Sequence, residues 1–223
     1  MGTLSTASVI DKVQTVLQDL TGVRWSDVEL LGWLNDGQRT VVMYKPNAYV
    51  RNVSVLMTQG TKQSLPADGV QLVNIPRNMG ANGTTPGRVV RIVQQEMLDA
   101  RLPNWHGAAT ESEVQHYVYS VLDPKTFYVY PPNTGTGYVE IAYGAEPPDA
   151  TLGGAITLDN IYQTMLLDYM LYRAFSKDTE FADQSRSTVY YNAFLASLTG
   201  KARVEVGANP NVQAPANPSN LTQ

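Results

Sequence analysis

The chain has 223 residues, with 16 Lys and Arg against 20 Asp and Glu, two His and no Cys. A formal charge of −4 excludes a global basic field for wrapping nucleic acid, and the lack of Cys removes disulfides, thiolate metal sites and a Cys nucleophile together. Charged residues make up only 16%, against about 25% in average proteins, and with 13 Tyr this suits a subunit that buries much of its surface against neighbours.

The amino-terminal residues lack the basic-then-apolar order of a secretion signal, and no run anywhere approaches the roughly 18 apolar residues of a membrane span. Gly2 and Thr6 meet the two constraints of a myristoylation pattern, which six residues match often by chance. Ser5 or Thr6 caps a first helix whose apolar face is Val9, Ile10, Val13, Val16, Leu17 and Leu20, ended by Thr21-Gly22. Lys12 alone supplies no basic face for lying on a membrane. A short link leads to a second helix packed antiparallel to the first. It starts at Ser26, whose hydroxyl accepts from the N–H three residues on while the Glu29 carboxylate reaches back, a reciprocal capping box. Val28, Leu31, Leu34, Val41 and Val42 carry its stripe. Gly32 and Gly37 each cost about 1 kcal/mol against Ala in a helix interior, so close packing at these positions is one reason for their presence. Pro46 closes the helix.

From Tyr49 the period changes to two. Val53, Val55 and Met57 share one side of a strand, Gln59-Gly60-Thr61-Lys62 is a turn, and a strand through Val70, Leu72 and Val73 follows. Residues 77–88 hold too many Gly, Asn and Pro for regular structure and form a long loop of the kind used for contacts. Val89 to Val93 is a short strand, and residues 95–101 make one or two helical turns stopped by Pro103. Residues 113–122 alternate, with Val114, His116 and Val118 on one face and Gln115, Tyr117 and Tyr119 on the other. Asp123-Pro124-Lys125-Thr126 turns the chain into a strand through Phe127 and Val129; Pro131 to Gly135 turns it again, and residues 138–143 complete a three-strand meander.

Thr157 or Asp159 caps a long helix with Ile161, Tyr162, Met165, Leu166, Leu167, Tyr169, Met170, Leu171, Tyr172, Ala174 and Phe175 spread around nearly its whole circumference, so it must be covered on more than one side. A last helix over about residues 179–198 carries Phe181, Thr188, Tyr191, Leu195 and Leu198. After Gly200 the periodicity ends in a tail rich in Asn, Pro and Ala. The fold class is therefore α+β: an antiparallel helical bundle (residues 1–46 plus 155–199), an inserted small antiparallel β-sandwich or barrel (residues 47–154), and an extended arm (residues 200–223).

No catalytic, cofactor or metal motif emerges. His106 and His116 lack the spacing that puts two ligands on one helical face, and there is no nucleophile elbow, Gly-Lys-Ser/Thr phosphate loop or dinucleotide fingerprint. Residues 78–83 are Gly-rich without the Lys of a phosphate loop. Asp168 amid apolar neighbours reads as ion-paired with Arg173 or as solvent-facing rather than as half of a carboxylate pair. Tyr117, Tyr119, Tyr128, Tyr130, Tyr138 and Tyr143 form aromatic rows, but Lys125 is the only basic residue from 113 to 143, which favours protein contact over nucleic-acid stacking.

Two stretches carry a family resemblance. Trp25-Ser26-Asp27 with Glu29-Leu30, followed by Trp33-Leu34-Asn35-Asp36-Gly37-Gln38-Arg39, resembles the second helix of the head-to-tail adaptor (connector) proteins of short-tailed bacteriophages, the tail tubular protein A or gatekeeper-like group. Tyr169 to Asp178, with Tyr172 and Arg173, is similar to the long core helix of that family and its exit. The resemblance implies a structural virion protein at the neck, assembled in the host cytoplasm. Its subunits form a homo-oligomeric ring, a dodecamer in the family, docking a short tail onto the portal and passing DNA through its lumen during ejection. It implies as partners the portal protein, a tail tube or nozzle protein and a tail fibre, with no membrane and no cofactor. It also implies a carboxy-terminal arm reaching the portal. By spacing and charge, Val204 and Val206, two apart, are expected to present one side of a strand to that partner, and Lys201 and Arg203 to meet an acidic surface. Two other readings remain open: a carbohydrate-binding β module on a helical stalk, and a small hydrolase using His116 with Glu111 and Glu113.

Overall fold

The computed structural model describes residues 4–177 and 182–208. Among them are five α-helices and seven strands in an α+β arrangement, and the chain divides into two units, residues 38–149 and residues 2–37 with 150–223. The division falls inside the second helix, earlier than the boundary at 46 read from Pro46.

In the helical unit, α1 (Thr6–Leu17) begins where Ser8 N–H donates to Ser5 Oγ at 3.2 Å. It stops sooner than Thr21-Gly22 suggests. Gln18 turns left-handed at φ 55°, and Asp19 N–H bonds back to Gln14 O at 3.0 Å, which satisfies the helix end before the glycine is reached. The second helix, α2 (Asp27–Tyr44), leads out of this unit. The third, α4 (Gln163–Ser176), follows a 3-10 turn capped by Asp159 Oδ1, which accepts from Ile161 N–H at 3.1 Å. Met165, Leu166, Tyr169, Met170, Leu171, Ala174 and Phe175 of α4 are all buried, and the helix packs on both α1 and α5 (Gln184–Ala208). From α5 it receives Phe194, whose ring lies 5.4 Å from that of Tyr169, and Tyr191, 4.9 Å from Tyr172. Phe181, assigned to the last helix, lies outside the described residues.

The β unit contains two sheets and no closed barrel. In one, β1 (Val50–Leu56) and β3 (Gly69–Asn78) flank β7 (Tyr138–Ala145), all antiparallel. The other runs in the order β2 (Gly60–Ser64), β6 (Thr126–Asn133), β5 (His116–Tyr119), β4 (Arg91–Ile92), with β4 parallel to β5. One buried cluster draws Leu72, Ile75, Val139, Ile141 and Tyr143 from the first sheet and Tyr117, Phe127 and Val129 from the second. A smaller cluster on the other face of the second sheet places Val118, Tyr128 and Tyr130 under Trp105 and Leu98 of α3 (Gln95–Arg101).

Three expectations change here. Gln59 to Lys62 is no free turn, since β2 starts at Gly60. The three-strand meander does not form: β5 and β6 pair as a hairpin, but β7 belongs to the other sheet. Asn133, fully buried, steers this crossing by accepting from Gly135 and Gly137 N–H (2.9 and 3.3 Å) and donating to Ser112 O (3.1 Å). Pro131 and Pro132 consequently lie inside β6, between its pairings at Tyr130 and Asn133, where no ladder donor is required of them.

Candidate functional site

Of the residues that carry the adaptor resemblance, those from Trp25 to Gly37 and from Tyr169 to Lys177 come together within the helical unit; Gln38 and Arg39 belong to the other unit, and Asp178 lies outside the described residues. Ser26 caps α2 as expected: its hydroxyl accepts from Glu29 N–H at 3.3 Å, and its carbonyl from Leu30 N–H at 3.0 Å. The other half of the box is replaced. Glu29 turns its carboxylate to Lys177, just past α4, whose ammonium donates at 2.7 and 2.9 Å. A charge-assisted bond from an ammonium outcompetes one from a neutral backbone N–H. Lys177 escaped the sequence reading because nothing local marks it; an acid at the third helical position was its only signal.

Further along, Arg173 Nη1 lies 3.8 Å from Asp36 Oδ2 and 3.4 Å from the Tyr169 hydroxyl. Arg173 thus joins the Asn35-Asp36-Gly37 segment of α2, and not Asp168. Asp168 has no ion pair among the described residues, and burial pushes its carboxyl above the usual range. Past the second pair the helices approach at Gly37, where a Cβ would meet the Tyr169 ring at 3.0 Å and Leu166 at 3.3 Å. At Gly32 a Cβ would meet nothing within 4 Å. Trp25, Trp33 and Leu34 are buried; Tyr172 is half-buried with its ring against Tyr169 and Tyr191.

The entry to α2 is held by an anion. Asp19 accepts N–H bonds from Val23 (3.0 Å), Arg24 (2.8 Å) and Trp25 (3.0 Å). Burial alone would raise its carboxyl, but the bonds from Trp25, Arg24 and Val23, with the Arg24 charge, outweigh burial and hold it below its ordinary value.

The carboxy-terminal expectations are altered. The extended arm from residue 200 is instead helix through Ala208, so Val204 and Val206, two apart, do not share one side of a strand. Lys201 is engaged within the chain, 3.1 Å from Glu205 and 5.3 Å from the centre of the Tyr162 ring. Burial pushes the Tyr162 hydroxyl up to about 12 despite that ammonium. The side chains of Arg203, Val204 and Val206, and all of residues 209–223, lie outside the described residues.

The residues weighed for chemistry do not converge. His106 Nδ1 is 2.9 Å from Thr61 Oγ1, and its ring stacks on Trp105 at 3.6 Å. His116 stacks on Tyr130 at 6.5 Å; its buried Nδ1 has no hydrogen-bond partner, so neither Glu111 nor Glu113 bonds it there. Burial, then Arg88 and Arg91, hold His116 below its ordinary value. The aromatic rows are split between two interiors. Tyr117 and Tyr143 are buried in the larger cluster with their hydroxyls on Asn74 (3.2 Å) and Asp68 (3.0 Å), while Tyr128 and Tyr130 pack under Trp105. A hollow of 270 Å³ is lined by Trp105, which is buried, and by Tyr130, which is half-buried. Among the described residues no cluster of His, Asp and Glu could hold a metal, and no helix is long and apolar enough to cross a membrane.

No curated protein matches the chain. A family model described as SU10 adaptor protein matches residues 4–217, taking in both resemblance stretches, all of the described helices and both sheets. With nearly its whole length matched and its two motif stretches joined through Glu29–Lys177, Asp36–Arg173 and Gly37–Tyr169, the chain belongs to the SU10 adaptor proteins, a phage head-to-tail adaptor family.

Proposed function

We propose that this phage adaptor protein is one subunit of a homo-oligomeric ring at the virion neck, placed between portal and tail, with DNA passing through its lumen during ejection. The observation that carries this reading is the family match over residues 4–217. The dodecameric ring, the tail tube or nozzle partner, the tail fibre and assembly in the host cytoplasm belong to the same proposal. So does its division into a helical bundle and a β-sandwich, supported by α4 packing on α1 and α5 within the one and by a core shared between two sheets within the other.

The portal contact is assigned to the chain beyond α5, with Arg203, Val204 and Val206 on its approach and Lys201 at its root. Such a contact gains affinity from burying an extended or helical segment in a groove, against the entropy of ordering it. The test is to mix purified full-length protein with portal rings and with DNA-filled heads lacking tails, and to read particle mass and co-sedimentation. A ring that stays with the portal is expected. A protein that remains monomeric and leaves both portal and heads unbound would overturn the reading.

A further inference from the structure

Four strands border the two sheets, and three of them are blunted. β3 shifts register on β7 at three places, and beyond them its outer side is occupied by the Arg77–Val89 bridge and by the bond from Asn78 N–H to Arg88 O. β2 shifts between Gly60 and Lys62, and β4 is two residues long. Bulges and shortness are devices that keep sheet edges from recruiting other strands. β1 has neither. Its seven residues hold one unbroken register on β7, from Val50 opposite Gly144 to Leu56 opposite Tyr138, and no other described strand pairs with it.

The direction of its free backbone groups follows from the ladder. Met57 N–H donates to Gly137 O and Ala145 N–H to Tyr49 O, both at 2.9 Å, so the odd-numbered residues turn their polar groups towards β7. Val50, Asn52, Ser54 and Leu56 turn theirs to the open edge, and all four are exposed, Val50 at 39% and Leu56 at 47%. This outward row carries no charge, which is the third device an edge uses against pairing.

We propose that β1 pairs antiparallel with β1 of a second copy of this chain, about a two-fold axis at Val53. The row is complementary to itself in that register. Val50 faces Leu56 of the copy, Asn52 faces Ser54, and Arg51 faces Val55, so apolar meets apolar, amide meets hydroxyl, and no like charges are opposed. Each outward pair exchanges two backbone hydrogen bonds, and the product is a continuous sheet ordered β3-β7-β1-β1-β7-β3. A two-fold contact cannot by itself close a cyclic ring. The pairing is therefore a self-contact in addition to the ring proposed above, joining free chains, or rings face to face, in twos.

The test is native mass spectrometry of the full-length protein and three variants, each checked for wild-type circular dichroism. Ser54→Pro removes an outward N–H that no intrachain bond uses. Asn52→Lys with Ser54→Lys sets ammonium groups face to face across the axis, whereas Asn52→Lys with Ser54→Glu sets opposite charges there. The first two are expected to halve the mass of the wild-type particle, and the third to leave it whole. A wild-type monomer, or a particle mass unchanged by both disrupting variants, would overturn the pairing. Should Ser54→Pro lose the native spectrum, the Lys pair decides alone. A ring of unchanged mass throughout sinks this inference and leaves the ring standing; a dimer halved to a monomer does the opposite.

Discussion

Ser26 closes the amino end of α2 with one hydrogen bond of 3.3 Å, and Asp19 holds the loop before it with three. Ser26→Ala is expected to lower stability by about 1 kcal/mol, the usual worth of an N-cap, read from the urea midpoint at constant slope. Removing Glu29 from Lys177 is expected to cost less than about 1 kcal/mol, because both side chains are about one-third exposed and solvent screens the pair. Asp19 sets a pH dependence. Its folded carboxyl titrates below its ordinary value, so the unfolded chain binds the proton more readily and stability rises with pH between the two values. The Asp19 contribution is present in full above the ordinary carboxylate range and is lost as pH falls through the lowered folded value. Asp19→Asn should therefore flatten the thermal midpoint against pH below about 4, where unperturbed Asp titrates. Parallel wild-type and variant curves would show that the three N–H bonds do not select the anion.

At the scale of the element, the two glycines of α2 separate propensity from packing. Gly32→Ala adds a methyl group to open space and should stabilise by roughly 0.5 to 1 kcal/mol through backbone entropy alone. Gly37→Ala has the same entropic gain, yet its methyl group would meet the Tyr169 ring at 3.0 Å and Leu166 at 3.3 Å. Tyr169 is held between Tyr172 and Phe194 and cannot readily withdraw. The expected order of thermal midpoints is Gly32→Ala, then wild type, then Gly37→Ala. A Gly37→Ala protein as stable as Gly32→Ala would mean that the approach of α2 to α4 is loose. β1 and β3 make a matching contrast among strands: they flank the same β7, one in a regular register and the other interrupted, and only the regular one keeps an edge that can accept a strand.

At the scale of the whole molecule, the end of α5 separates what holds the helical unit from what is proposed to dock. Deleting residues 209–223 leaves α5 intact and should leave the thermal midpoint unchanged. Deleting residues 201–223 also removes the end of α5, with the Lys201–Glu205 pair, and takes the ammonium from the face of Tyr162, so it should lower that midpoint. Both truncations are expected to abolish stable docking to portal rings in co-sedimentation. Full docking by the shorter truncation would move the contact back onto the helices.

The sequence by itself determined the features written within one or two turns of chain. Ser26 set the start of α2; Gln95 to Arg101, stopped by Pro103, set α3; Asp123-Pro124 set the hairpin of β5 and β6. The all-round apolar surface of α4 already required cover on more than one side, and the Trp-Ser-Asp and Tyr-Arg stretches pointed to the family that the model match shows. Tertiary structure decided what distant residues compete for. Period two says that a strand has two faces but not which sheet it joins, so β7 left the meander once Asn133 was buried at the crossing. A capping acid does not reveal that an ammonium 148 residues away will take it, as Lys177 takes Glu29. The Tyr rows looked like a surface because alternation counts faces and not layers; with a sheet on one side and Trp105 on the other, both faces are interior. A glycine weakens a helix, yet α5 runs past Gly200, where Lys201 has both an acid one turn ahead and a ring to lie on.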